Sequence, residues 1–387
     1  MKRNAQMKIA FYAPMKHPAS PVPSGDREMA RNLIRALERN HSVAVASRFC
    51  SRDGAGDPGR QQRLADLGAK IAARLIRRWN TAGETPDAWF TYHVYHKAPD
   101  WLGPAVSKAC GIPYFMAEVS HAPKQASGKW DIGYRAAEAA IRSTDGIIGL
   151  STLDAACVMP LLSGRDRYNH LAPFTDTAPL AAAARDRAVH RNEICSRFAL
   201  DPEIPILLAV GMMRDGDKLA SYRVLADAMG RLKDRDWSLL VVGDGPARAD
   251  VEAAFAYLPP GRVVFAGAAA SDELPAFYAA ADLMVWPAVN EAYGMALLEA
   301  QAAGLPVAAG RTGGVPDVVR DGRTGALCPV GDPSAFADTV AGLLREPARL
   351  NAMRDTALMV TAAENDIATA GQRLDSILRT TTKARAA

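Results

Sequence analysis

The chain has 387 residues, 49% of them hydrophobic and 23% charged, with a formal net charge of +4. That length exceeds one ordinary core and predicts a globular protein of two domains. So mild a positive balance argues against a nucleic-acid footprint and leaves room for anionic ligands or a membrane surface. The five cysteines (Cys50, Cys110, Cys157, Cys195 and Cys328) are scattered without a CxxC pair. A disulfide framework or zinc site is therefore not expected, and a reducing cytoplasm fits. The apolar run near the N-terminus is too short for a signal peptide, and no stretch approaches the roughly 18 apolar residues needed to span a bilayer.

In chain order, KIAFYA (8–13) reads as a strand and GDREMARNLIRALERN (25–40) as an amphipathic helix with Met29, Leu33 and Leu37 on one stripe. VAVAS (43–47), AWFTY (88–92), IPYFMAE (112–118) and GIIGLS (146–151) read as buried strands. RLADLGAKIAARLIRRW (63–79) is a basic amphipathic helix with Leu64, Leu67, Ile71 and Leu75 on one face. Such a helix packs on its own domain or lies on an anionic membrane. The pattern lapses at 173–200, which reads as a connector plus one helix. It restarts with ILLAVG (206–211), SLLVVGDG (238–245), RVVFAG (262–267), LMVWP (283–287) and LPVAAG (305–310). The remainder, from residue 333, is helical in pattern and ends in a polar tail, TTTKARAA, expected to fray. Strands alternating with helices at this spacing predict two doubly wound α/β domains in tandem. Ligands bind such sheets beyond the carboxyl ends of the strands, so two facing domains predict a cleft.

Three segments of the second half follow strands. MMRDGDK places Arg214 and Lys218 in one loop, and GDGP (243–246) supplies two glycines that let backbone approach a ligand. EAYGMALLEAQAAG (291–304) predicts a helix starting near Tyr293 or Gly294, reaching Ala303 and stopped by Gly304 and Pro306. Free N–H groups at that helix start suit a diphosphate. Glu299, inside the helix, has two acceptor oxygens for the vicinal hydroxyls of a ribose, and Glu291, ahead of it, suits a second polyol. The order reads sugar, diphosphate, ribose. DGD (215–217) resembles a DxD metal motif but shares its loop with the two cations, so a solvated turn is expected and no metal. The HVYH histidines (93–96) lack supporting ligands in the sequence and are expected to be loop residues.

The stretch NEAYGMALLEAQAAGLPVAAGRTGGVPDVVRDGRTGALCPVGDP (290–333) resembles the glutamate–glutamate, glycine-pair and following segments of family 4 glycosyltransferases, and a looser resemblance runs from 8 to 380. It implies the GT-B fold: two Rossmann-like doubly wound parallel-sheet domains facing a cleft, with a C-terminal helix crossing back to the N-terminal domain. The boundaries it suggests are 7–175 plus 365–380 for acceptor binding, 176–200 as linker, and 201–364 for nucleotide-sugar binding. By resemblance Glu299 would bind the ribose and Glu291 the donor-sugar hydroxyls, while the backbone of Tyr293, Gly294 and Met295 would meet sugar and phosphates. Arg214 and Lys218 would neutralise the leaving diphosphate. Gly245, Val264 and Ala266 would border the base, His121 would sit near the reacting sugar, and Gly25 near the diphosphate. The chain departs from the family at SGD (24–26), at the Arg214–Lys218 spacing and at PFTD (173–176).

The implied activity is transfer of a sugar, with retention, from a nucleotide-diphosphate sugar to an acceptor hydroxyl. A UDP-sugar is favoured over a GDP-sugar, and neither cofactor nor metal is required. The acceptor would be a glycan, a lipid-linked or a small-molecule hydroxyl in surface polysaccharide or glycolipid synthesis. The expected setting is the cytoplasm, with peripheral contact at the inner face of the plasma membrane through 63–79, and no nucleic acid. The alternatives are an epimerase or a phosphorylase of the same fold, or a binding protein without turnover.

Overall fold

The computed structural model describes residues 6–22 and 24–386. It forms two compact units, one from the chain up to Ala172 together with Ile367 onward, the other from Pro173 to Asp366. The first contains β1 (Lys8–Tyr12), α1 (Gly25–Glu38), β2 (Ser42–Val45), α2 (Pro58–Ala82), β3 (Ala88–Val94), α3 (Gly103–Cys110), β4 (Tyr114–Val119), α4 (Asp131–Ser143), β5 (Gly146–Gly149), α5 (Thr152–Val158) and β6 (Tyr168–His170). The second contains α6 (Thr177–Arg185), α7 (Arg187–Phe198), β7 (Ile206–Val210), α8 (Asp217–Gly230), β8 (Ser238–Val242), α9 (Arg248–Phe255), β9 (Val263–Gly267), α10 (Leu274–Ala280), β10 (Leu283–Trp286), α11 (Met295–Ala302), β11 (Val307–Gly310), α12 (Val315–Val318), β12 (Gly325–Cys328), α13 (Pro333–Leu344) and α14 (Pro347–Glu364). The last helix, α15 (Ile367–Ala386), returns to the first unit.

Each unit is built on a six-stranded parallel sheet. The orders are β2-β1-β3-β4-β5-β6 and β12-β11-β10-β7-β8-β9. Parallel strands covered by helices are buried on both faces and therefore read as continuous apolar runs, as β7, β8 and β10 do here. The second order is the Rossmann order, and its direction of winding reverses between β7 and β10. In the first sheet the reversal falls between β1 and β3.

Four local readings of the sequence need correction. β2 is a strand but an exposed sheet edge, paired only to β1. Residues 176–200 hold two helices rather than one, and both pack on α10. The break at Asp186 lets Arg187 and Arg191 reach Asp282, at 2.6 and 2.9 Å. The polar tail does not fray among the described residues: α15 continues to Ala386, with Arg385 paired to Asp145. Ala370, Leu374 and Leu378 are fully buried, and such leucines contribute about 1.5–3 kcal/mol each. α2 is longer than expected, capped by Asp57 and by Gly83 in the left-handed conformation. Leu75 and Ala72 are buried where α2 meets α3 and α4, whereas Leu67 is 47% exposed. The outer face carries Arg63, Lys70, Arg74, Arg77 and Arg78. No helix among the described residues is long and apolar enough to cross a membrane.

Candidate functional site

The segments that follow β7 and β10, the strands flanking the winding reversal of the second unit, carry Arg214, Lys218 and Glu291. The loop after β7 carries Arg214, exposed, and leads through Gly216 into α8, whose second residue is Lys218. The loop after β10 carries Glu291, and two of its residues, Ala288 and Asn290, adopt left-handed φ values of 55° and 50°. L side chains rarely take that conformation, so surrounding contacts must hold it. They are visible: Ser221 Oγ accepts from Val289 N at 3.0 Å, and Asn290 Nδ2 donates to Asp217 Oδ2 at 3.0 Å. Asp217 of the DGD turn is thus tied to the neighbouring loop.

Lys218 and Glu291, expected on different parts of a ligand, are in direct contact here. Lys218 Nζ donates to Glu291 Oε2 at 2.5 Å, and Trp286 Nε1 donates to the same oxygen at 3.2 Å. The ammonium also lies 5.1 Å from the centre of the Trp286 ring. With 21% and 16% of their side chains exposed, both charges are reachable yet poorly screened. Trp286 was not singled out in the sequence, although as the last residue of its strand it was positioned to be found.

α11 begins after Gly294, which caps it at φ 76°. Tyr293 and Met295 beside it are 5% and 8% exposed. The glycine pair further on supports the glutamate loop. A Cβ on Gly313 would lie 1.9 Å from the Glu291 carbonyl oxygen, and Gly314 N donates to the Ala292 carbonyl. Glu299 lies within α11 and accepts a 2.9 Å hydrogen bond from Tyr278 Oη of α10. That phenol is completely buried, and burial together with the Glu299 charge pushes its pKa well above the usual value. It remains a donor at any working pH.

The GDGP glycines also serve a close backbone approach within the fold. Gly243 and Gly245 have φ of 148° and 154°, and a Cβ on either would strike backbone, Gly211 O at 1.9 Å and Met213 O at 2.2 Å. The close approach they permit is to the loop after β7, which they hold against β8. Val264 and Ala266 lie on β9, partly exposed.

In the first unit, Gly25 is the exposed first residue of α1, behind the cap Ser24, whose Oγ accepts from Arg27 N and from Lys16 Nζ. His121 stacks on Tyr134 with ring centres 5.2 Å apart, and its Nε2 is 3.4 Å from Glu138 Oε2. A second histidine, set aside in the sequence, has charged partners. His93 Nδ1 is 3.2 Å from Asp26 Oδ1 and 3.7 Å from Glu118 Oε1. Burial acts to lower its pKa, but the charges of Glu118, Asp26 and Asp154 outweigh it and raise the value to about 9. His93 and Glu118 both hold left-handed φ, 63° and 53°. Only the fold could reveal this group, because its members come from α1, β3 and β4.

Two Rossmann-like parallel-sheet units in one chain are the architecture of the GT-B fold. Along nearly its whole length the chain shares the fold of HepE of Anabaena, solved with UDP and glucose, at a TM-score of 0.71, 18% identity and coverage of 97% of this chain and 100% of that one. Residues 204–346 match the family model of glycosyl transferases group 1. It is 31% identical over 266 residues to the 2-deoxystreptamine glucosyltransferase of Streptomyces kanamyceticus, covering 64% of this chain and 65% of that protein. It is 36% identical over 197 residues to the D-inositol 3-phosphate glycosyltransferase of Salinispora tropica, covering 47% and 40%. The chain thus spans less than two thirds of the curated relatives it matches.

Proposed function

We propose that the protein transfers a sugar, with retention, from a nucleotide-diphosphate sugar to an acceptor hydroxyl. The observation that carries this reading is the side-chain cluster of the second unit in which Lys218, Glu291 and Trp286 meet beside the start of α11, with Glu299 inside that helix. Glu299 takes the ribose hydroxyls, steadied by Tyr278. The α11 start, Tyr293, Gly294 and Met295 meet the diphosphate and sugar, and Glu291 takes the sugar hydroxyls. Gly245, Val264 and Ala266 border the base.

As the glycosidic bond to the leaving phosphate breaks, negative charge grows on the diphosphate. Lys218, Arg214 and the helix dipole stabilise it, an effect worth about 3–4 kcal/mol per well-placed donor. No metal is needed for that charge. The acceptor's proton passes to the departing phosphate oxygen. The first unit binds the acceptor, with His121 near the reacting sugar and Gly25 near the diphosphate. HepE, solved with UDP and with UDP-glucose, supports a UDP-sugar over a GDP-sugar. The cationic outer face of α2 suits an anionic membrane surface at the cytoplasmic side, where surface glycans or glycolipids are assembled.

Incubation with UDP-glucose, UDP-N-acetylglucosamine or GDP-mannose and a panel of hydroxyl acceptors tests the reading. One donor should release its nucleotide, with proton NMR showing the product's anomeric configuration unchanged. Appearance of an epimerised donor without nucleotide release would point to an epimerase instead.

A further inference from the structure

We propose that Asp26, His93 and Glu118 form a divalent-cation site in the first unit. Their donor atoms all lie within 4.8 Å of one another, with Nδ1 at 3.2 and 3.7 Å from the two carboxylate oxygens. A triangle of that size has a point about 2 to 2.4 Å from every corner, the length of metal bonds to imidazole nitrogen and carboxylate oxygen. Nδ1 is buried and faces both carboxylate oxygens at these distances. The three groups converge on one small volume.

The fold brings them there from separate elements. Asp26 stands in the first turn of α1, following β1, and His93 stands on β3, across the winding reversal of the first sheet. The β3–β4 register pairs Tyr92 with Ala117 and Val94 with Val119, which sets His93 beside Glu118. Ligands of such sheets collect at that position. Asp154, in the first turn of α5, adds a negative charge that acts on His93 from outside the triangle.

One imidazole with two carboxylates favours Zn²⁺, a borderline ion, over Ca²⁺ or Mg²⁺, and Mn²⁺, which carboxylates also suit, serves as a spectroscopic probe of the same site. The side chains of Asp26, His93 and Glu118 are 34%, 19% and 12% exposed, so an ion is reachable and keeps coordination positions for water or a substrate hydroxyl. The competing occupant is a proton: an imidazolium can neutralise the carboxylates by itself.

The test uses the full chain, stripped with EDTA, dialysed and titrated with MnCl₂ under electron paramagnetic resonance. The expected result is one bound Mn²⁺ per chain whose echo envelope carries ¹⁴N modulation from an imidazole. His93→Ala should abolish the modulation, and both it and Glu118→Gln should weaken binding by about tenfold or more. Circular dichroism melts identify any variant that fails to fold, and the wild-type spectrum alone remains decisive. The proposal is overturned if neither Mn²⁺ nor ZnCl₂ binds up to millimolar concentration, or if the modulation survives in His93→Ala. Because binding rather than turnover is read, the outcome is independent of the donor-site assignment.

Discussion

Glu291 and Lys218 should respond to substitution with opposite signs when the ligand is UDP alone. The Glu291 carboxylate holds the Lys218 ammonium at 2.5 Å, and under the proposed assignment a phosphate oxygen of the nucleotide competes for that ammonium. UDP carries no sugar, so under the proposed assignment it makes no contact that Glu291→Gln removes. The substitution instead removes a negative charge that competes with the diphosphate. Two unit charges 4 Å apart interact by about 4 kcal/mol at the effective dielectric constant of 20 that suits partly buried pairs. Most of this is offset by desolvation and by the Trp286 contacts, leaving about 1 kcal/mol, or about fivefold tighter UDP binding. Lys218→Ala removes a cation from the diphosphate and should weaken UDP by about tenfold or more. Turnover of the intact donor should fall in both, on the order of 10²-fold. Isothermal titration without metal reads the binding half directly. Equal weakening of UDP by the two substitutions would refute the idea that Glu291 competes with the phosphate.

Tyr278→Phe keeps the ring packing and removes only the hydroxyl that holds Glu299. A hydrogen bond to a charged group contributes about 1.5–3 kcal/mol, so the melting temperature should fall by several degrees and UDP should bind several-fold more weakly; an unchanged Kd would separate Tyr278 from the site. Gly245→Ala places a Cβ against the Met213 carbonyl at an unfavourable φ and should cost about 2–4 kcal/mol, read as a lowered urea midpoint of the second unit. His41, buried between α1 and α15 and 3.1 Å from Asp375, has its pKa lowered chiefly by burial. The unfolded chain therefore takes up the proton first, so this residue's contribution is intact above about pH 6.5 and is lost as pH falls below it. The stability advantage of wild type over His41→Asn should shrink between pH 7.5 and 5.5, and an advantage that grew on acidification would contradict the assignment.

The sheets were legible because parallel strands buried on both faces are written as uninterrupted apolar runs, as ILLAVG and SLLVVG are. The start of α11 was legible for another reason: glycine before the helix and glycine with proline after it leave few alternatives. Edge exposure was not legible. VAVAS has the composition of a core strand, and only the sheet order shows that β2 has a neighbour on one side. The Lys218–Glu291 pair and the His93 group were hidden because their members are joined by winding reversals rather than by spacing. The α6–α7 break was hidden for a similar reason, since its cause is a distant aspartate, Asp282. GDGP shows the opposite case, a motif correctly placed whose glycines turn out to serve a backbone contact.

The central claim is that the second unit binds a nucleoside diphosphate through Glu299. Calorimetric titration of wild type and Glu299→Ala with UDP, GDP and ADP, without added metal, tests it most directly. The account predicts that UDP binds wild type more tightly than GDP or ADP and that the substitution weakens it by more than about tenfold, the scale of two charge-assisted hydrogen bonds. No binding by any of the three, or an unchanged affinity in Glu299→Ala, would contradict it.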